Sequence, residues 1–206
     1  MRHFILITLT LLYCFGAKAQ TEIAENLKKK YAINKGFETM VNISIDVPGL
    51  IIQPKDISVF YENGKKAQIK GKGILLLPKK GFLNQFSDLL NVSAHWILLE
   101  DNGDLSRYKL VSLDPKSDWV TADLKISKSN FRIDEINLTT KESGMYLIKH
   151  SYGKGVFPTA TEISFLTNKF NVPLKFLGKS NIKNIKDKDG KVKGKIVLKF
   201  SNFKML

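Results

Sequence analysis

The chain has 206 residues, a formal net charge of +14 and a single cysteine, Cys14. One cysteine excludes an intramolecular disulfide framework and a thiolate zinc cluster. The excess of lysine and arginine favours anionic partners such as lipid headgroups or polyanionic glycans.

Residues 1–19 have the pattern of a secretory signal peptide. Met1 to His3 form a short basic start, Phe4 to Phe15 an apolar run, and Ala17-Lys18-Ala19 a small-x-small cleavage site before Gln20. The apolar run is too short to remain as a membrane anchor, and the large residues before Cys14 do not suit lipid attachment. We expect cleavage after Ala19, which leaves an exported single domain of residues 20–206 with no cysteine. Export makes nucleic acid an unsuitable partner.

A helix and a strand are predicted at the start of this domain. Thr21 can cap a helix, because Ile23, Leu27 and Tyr31 recur every four residues on one face. From Phe37 the period changes to two, which predicts a half-buried strand that ends at the turn Pro48-Gly49.

A hairpin, a buried strand and a second helix are predicted next. Asn63-Gly64 favours a tight turn between strands at Ile57 to Tyr61 and Ala67 to Lys70. The continuous apolar run Ile74 to Leu77 predicts a strand covered on both faces, and Phe82, Phe86, Leu89 and Leu90 follow at helical spacing.

The remainder of the chain predicts an antiparallel meander. Its strand candidates are separated by turns and run from Val92 to Glu100, Leu105 to Leu113, Val120 to Ser127, Phe131 to Thr139, Met145 to Tyr152, Thr161 to Leu166 and Lys195 to Phe203. The fold class is therefore mainly β with two or so helices, a half-open or closed barrel, and an ordinary β-sandwich is the alternative.

Catalysis has little support in the sequence. His95 and His150 fall on different strands without a nucleophile motif, and both are interpreted as partly exposed structural histidines. Asp187 to Gly190 resembles the start of a calcium loop but lacks the bidentate glutamate, so a lysine-rich turn is the simpler interpretation. We expect no enzyme activity, no metal and no cofactor.

One parity of each strand is expected to line a hydrophobic cavity, although the same aromatic content also suits an ordinary core. The candidate ligand-binding residues are Val41, Ile43, Ile45, Val59, Tyr61, Trp96, Leu98, Trp119 and Leu147.

A second candidate surface is electrostatic. From Lys175 to Lys204 there are ten lysines and two acidic residues. This excess predicts either a solvated hairpin edge or a contact with an anionic membrane surface or an acidic protein partner. The candidate contacts are Lys183, Lys186, Lys188, Lys191 and Lys193.

Several loose motifs resemble the outer-membrane lipoprotein carrier superfamily, the LolA-like proteins. They are the pattern Phe37-x-x-x-Val41-x-Ile43-x-Ile45, the hairpin Phe60 to Lys65, the segment Leu75 to Lys79, and Leu110 to Pro115 followed by Leu124 to Ile126 and Ile136 to Thr140. The better known carriers have an important arginine in the strand after the first helix. This chain has Glu38, Thr39 and Met40 there.

The resemblance implies a curved antiparallel sheet that forms an incomplete barrel, with helices on its concave face and a cavity for lipoprotein acyl chains. The expected function is that of a monomeric periplasmic carrier for lipoprotein acyl chains or another lipid, in a Gram-negative bacterium. The alternative is an exported β-rich binding or scaffold module of the envelope without a lipid cavity.

Overall fold

The computed structural model describes residues 22–31, 36–62, 68–71, 89–90, 93–167 and 189–206. The predicted signal peptide, the Asn63-Gly64 turn, the apolar run at Ile74 to Leu77 and all of the second helix except Leu89 and Leu90 lie outside these ranges. None of the described helices is long and apolar enough to cross a membrane.

The described residues form one helix, ten strands and a two-residue helical fragment at Leu89 and Leu90. The helix, α1, spans residues 22–31. The strands are β1 (Gly36–Asp46), β2 (Lys55–Glu62), β3 (Gln68–Lys70), β4 (Ala94–Asn102), β5 (Leu105–Ser112), β6 (Trp119–Ser127), β7 (Arg132–Thr140), β8 (Met145–Tyr152), β9 (Pro158–Thr167) and β10 (Val192–Met205).

All ten strands form one antiparallel sheet in the order β3-β2-β1-β10-β9-β8-β7-β6-β5-β4. The predicted meander is confirmed from β4 to β10, and β10 then pairs with β1. β3 and β4 occupy opposite ends of this order, so the described sheet does not close into a barrel. The chain passes from one edge of the sheet to the other between Gly71 and Ser93.

The two faces of the sheet differ sharply in polarity. We call the apolar side the core face. One of its rows crosses eight strands by direct register and consists of Ile45, Ile196, Ile163, Ile148, Ile136, Leu124, Tyr108 and Leu98. The other side, the outer face, carries cross-strand ion pairs such as Lys109–Asp123 at 3.5 Å and Lys195–Glu162 at 3.1 Å. This is the pattern of an antiparallel sheet with one wet face.

Helix α1 packs on the core face. Ile23, Leu27 and Tyr31 are buried in the same hydrophobic cluster as the strands, as the four-residue spacing predicts. Lys30, in the last turn, donates from Nζ to the carbonyl of Asn130 in the β6–β7 turn.

The end of α1 is held by a ring of hydrogen bonds around the backbone of Ile133. The amide of Ile133 donates to the Tyr31 hydroxyl at 3.1 Å, and the Tyr152 hydroxyl donates to the Ile133 carbonyl at 2.7 Å. The two hydroxyls are 2.9 Å apart, so Tyr31 donates to Tyr152 and closes the ring. Ile133 lies next to an irregularity in the pairing of β7 with β6, because Asp134, the next residue, has no partner in β6 and interrupts the regular ladder.

Candidate functional site

The candidate site is the core face of the sheet, where eight of the nine predicted ligand-binding residues lie together. Register and burial assign to this face Val41, Ile43, Ile45, Val59, Tyr61, Trp96, Leu98 and Trp119. These eight positions share one face of the sheet, seven of them by simple alternation along their strands and Trp119 through a bulge. Whether that surface binds a ligand stays a prediction.

Leu147 lies on the other face. It is opposite Asn137 on β7 and Ser164 on β9, both of which belong to the outer face. The core-face positions of β8 are Tyr146, Ile148 and His150. Both parities of Met145-Tyr146-Leu147-Ile148 are apolar, so alternation alone cannot choose between them. Assigning Leu147 to the same surface as the other eight residues was wrong.

Trp119 reaches the core face through a bulge. It is opposite Thr140, whereas Thr121 is opposite Thr139, so the pairing of β6 and β7 shifts between these positions. The shift places the Trp119 ring on the same side as Ala122 and Leu138, although simple alternation from Ala122 would place it on the outer face. Trp119 is buried there.

Burial differs among the candidate residues of the core face. Val41, Ile43 and Val59 are fully buried, whereas Tyr61 and Trp96 are half-buried and Leu98 is exposed. The two half-buried rings each lie against a buried ring. Tyr61 is 5.6 Å from Phe37, and Trp96 is 5.8 Å from Tyr108, measured between ring centroids.

An aromatic stack that the sequence did not predict lies at one end of this face. The Phe203 ring stacks on both Phe37 at 5.0 Å and Phe157 at 4.8 Å, and these two rings lie 6.0 Å apart, so the three form a triangular cluster. Phe203 reaches this position because β10 is irregular opposite Glu38 to Met40, with Asn202 at a φ of 54°. The asparagine at position 202 is the only signal of this irregularity in the sequence, because asparagine tolerates a positive φ better than most residues do.

The indole nitrogen of Trp119 is an unsatisfied donor on the core face. Its Nε1 atom is buried and has no hydrogen-bond acceptor among the described residues. A buried donor without an acceptor costs about 1–3 kcal/mol. The carbonyl or carboxylate oxygen of an amphipathic ligand would satisfy this indole.

The two histidines do not form a common site. His95 is exposed on the outer face of β4, as interpreted from the sequence, whereas His150 is buried on the core face of β8 with Nδ1 2.9 Å from the Thr161 hydroxyl. Burial lowers the pKa of His150 to about 4, so this ring is neutral at physiological pH. The expectation of a partly exposed ring at position 150 was wrong.

The two tyrosine hydroxyls that bond the backbone of Ile133 are also held in their neutral form. Burial raises the pKa of both Tyr31 and Tyr152, with the neighbouring hydroxyl contributing to the rise at Tyr152. Within the described part of the chain, no three His, Cys, Asp or Glu side chains lie close enough together to hold a metal ion.

The predicted basic surface is only partly described. Lys191 and Lys193 lie exposed at the start of β10. Lys183, Lys186, Lys188 and the turn residue Asp187 lie outside the described ranges.

Together these features define a class of protein. An open antiparallel sheet with an apolar core face, covered by an N-terminal helix, is the LolA-like fold, and this chain has that fold. No protein-family model matches the sequence, and no curated protein matches it.

The fold assignment comes from similarity to solved structures. A LolA superfamily protein from Nitrosomonas europaea is 12% identical with a TM-score of 0.54, over 91% of this chain and 93% of that one. A DUF1329 family protein from Desulfovibrio piger is 8% identical with a TM-score of 0.56, over 91% and 92%. A lipoprotein-sorting protein domain from Vibrio parahaemolyticus, 11% identical over 91% and 92%, has a TM-score of 0.48, too low to add support.

Proposed function

We propose that this protein binds an acyl chain of a lipoprotein or another lipid on the core face of its sheet. The observation that carries the proposal is the continuous apolar row across eight strands of a sheet that does not close, in a LolA-like fold. The work of such a protein is outer-membrane lipoprotein sorting in the periplasm of a Gram-negative bacterium. It acts by binding and not by catalysis.

The magnitudes explain the need for such a carrier. At about 0.8 kcal/mol per buried CH₂, a long acyl chain costs on the order of 10 kcal/mol when it is exposed to water. The half-buried rings of Tyr61 and Trp96 and the exposed Leu98 offer the apolar area that a chain could cover. The buried Trp119 indole offers a hydrogen bond to the polar end.

Tryptophan emission provides a direct test, because the chain has two tryptophans and both lie on the core face. A fatty acid brominated on its chain quenches tryptophan on contact. We expect it to quench the emission, and the unbrominated fatty acid to compete. Denaturing extraction of protein purified from its native host, followed by mass spectrometry, should release acylated species.

Two adjacent aromatic residues on β2 provide matched variants. Tyr61 faces the core side opposite Phe37, and Phe60 faces outward opposite Glu38. Tyr61→Asp should weaken the quenching at least tenfold in apparent affinity, whereas Phe60→Asp should leave it unchanged. Absence of quenching in the parent protein, together with an empty extract, would contradict the proposal and favour an envelope scaffold with a filled core.

A further inference from the structure

The two edges of the sheet are built differently. The β3 edge has three residues, Gln68–Lys70, and carries a lysine. The β4 edge has nine residues, Ala94–Asn102, and pairs with β5 alone among the described strands. A free edge presents a row of unpaired backbone N–H and C=O groups, and proteins normally shorten such edges or charge them.

The β4 edge is apolar as well as long. Ile97, Leu98 and Leu99 are 46%, 42% and 48% exposed. The chain has 33 lysine and arginine residues, yet none of them, and no proline, lies in β4. The strand has one irregularity, a shift in its pairing with β5 between Leu98 and Glu100. Apart from this irregularity and the acidic residues Glu100 and Asp101, the described part of the chain gives this edge none of the usual protection.

We propose that β4 pairs antiparallel with β4 of a second copy about a two-fold axis near Ile97. A strand related to itself by a two-fold axis is antiparallel to its mate, and the same patch serves both subunits. In this register Ile97 faces its own copy, Trp96 faces Leu98 on the core side, and His95 faces Leu99. Such apolar cross-strand pairs stabilise a sheet.

Charge also suits this pairing. No two residues of like charge are opposite each other, because Glu100 faces Ala94. Glu100 and Asp101 are already paired within their own subunit, with Arg107 at 3.5 Å and Lys128 at 2.5 Å. The lysine-rich strand β10 is six strands away from β4. At about 4.8 Å per strand this is roughly 29 Å, several times the ~8 Å Debye length at physiological salt.

The sequence leads to the expectation of a monomer, and the proposed pairing departs from that expectation because of the edge. Which strand lies at the edge depends on the passage from β3 to the far side of the sheet, and a hairpin-by-hairpin meander does not predict this passage. The apolar run Trp96-Ile97-Leu98-Leu99 then lies in an edge strand.

Cysteine cross-linking tests the pairing. In a Cys14→Ser background, Ile97→Cys is the only thiol of the chain. The Cα atoms of opposed residues in an antiparallel pair are about 4.5–5.5 Å apart, within the range of a disulfide. Mild oxidation should give a covalent dimer that reductant reverses. Met145→Cys, an exposed control on β8 in the sheet interior, should stay monomeric.

Sedimentation of the full chain provides the second measurement. The unmodified protein should dimerise as its concentration rises, Ile97→Lys should remain monomeric because two charges meet at the axis, and Met145→Lys should behave like the parent. Equal melting temperatures of the two lysine variants would show that folding is intact. A monomeric parent at all concentrations, or equal cross-linking at positions 97 and 145, would overturn the proposal.

Discussion

Removal of the Tyr31 hydroxyl should destabilise the protein far more than one ordinary hydrogen bond would suggest. In Tyr31→Phe the amide of Ile133 loses its acceptor, and Ile133 is fully buried. The net value of a hydrogen bond is about 1 kcal/mol, and a buried donor left unsatisfied adds about 1–3 kcal/mol. We therefore expect a loss of about 3 kcal/mol, or a fall of roughly 6–12 °C in melting temperature for a domain of this size.

Two further variants separate the contributions. Tyr152→Phe removes the donor to the Ile133 carbonyl and the acceptor of the Tyr31 O–H but keeps the bond from the Ile133 amide to the Tyr31 hydroxyl, so about 1–2 kcal/mol is expected. Tyr146→Phe is the matched control on the same strand. Its hydroxyl donates at 3.3 Å to the carbonyl of Ser143 in a turn, and its loss should cost less than about 1 kcal/mol.

Urea unfolding and amide exchange measure these effects. The exchange of the Ile133 amide should accelerate strongly in Tyr31→Phe and only slightly in Tyr146→Phe, because the hydroxyl of Tyr31 protects that amide directly. If Tyr31→Phe costs no more than Tyr146→Phe, the ring of hydrogen bonds does not hold α1 on the sheet, and the reasoning fails.

The remaining predictions concern pH, backbone strain and charge. The pKa of His150 is about 4 in the folded protein against an unperturbed value of 6.5. The stabilisation that the neutral ring provides is therefore present above pH 6.5, and the free energy of unfolding should fall by about 2 kcal/mol by pH 5. Urea unfolding at both pH values should show this loss disappear in His150→Gln and persist in His95→Gln. Gly144→Ala should lower the melting temperature far more than Gly103→Ala, because Gly144 has a φ of 97° and an added Cβ would lie 2.1 Å from the Leu166 carbonyl oxygen, whereas Gly103, at a φ of 55°, has open space. The mature protein should bind anionic but not neutral vesicles at low salt. Replacement of all five candidate lysines by glutamine should abolish this binding without shifting the melting temperature by more than a few degrees. Equal binding to both vesicle types would leave only the interpretation of a solvated hairpin edge.

The strands of the meander could be predicted because polar and apolar residues alternate along them. β8 begins and ends where the sequence predicts, and β5 to within one residue at its end. The bulges could not be predicted from the same pattern. Each one changes which parity faces the core, and this change moves Trp119 and Phe203 onto the core face against simple alternation.

Strand order depended on contacts that are distant in sequence. β10 pairs with β1 across some 150 residues, and this pairing leaves β4, not β10, at the edge. The rule that consecutive strands pair as hairpins predicts neighbours in sequence order, but it does not predict where two separate meanders join. The candidate site was therefore predictable as a set of apolar positions, whereas the exposed edge beside it was not.

The location of the net charge follows from the same topology. On the outer face basic side chains have acidic partners on the neighbouring strand, as in Lys109–Asp123 and Lys149–Glu135. Exposed pairs of this kind add little stability, but they neutralise each other within a few ångströms. The stretch from Lys175 to Lys204 has eight more lysines than acidic residues, a large part of the formal charge of +14. Within the described part of the chain, the candidate contacts Lys191 and Lys193 lie at the start of β10, six strands from the β4 edge, so an anionic surface that contacts them leaves that edge free to pair.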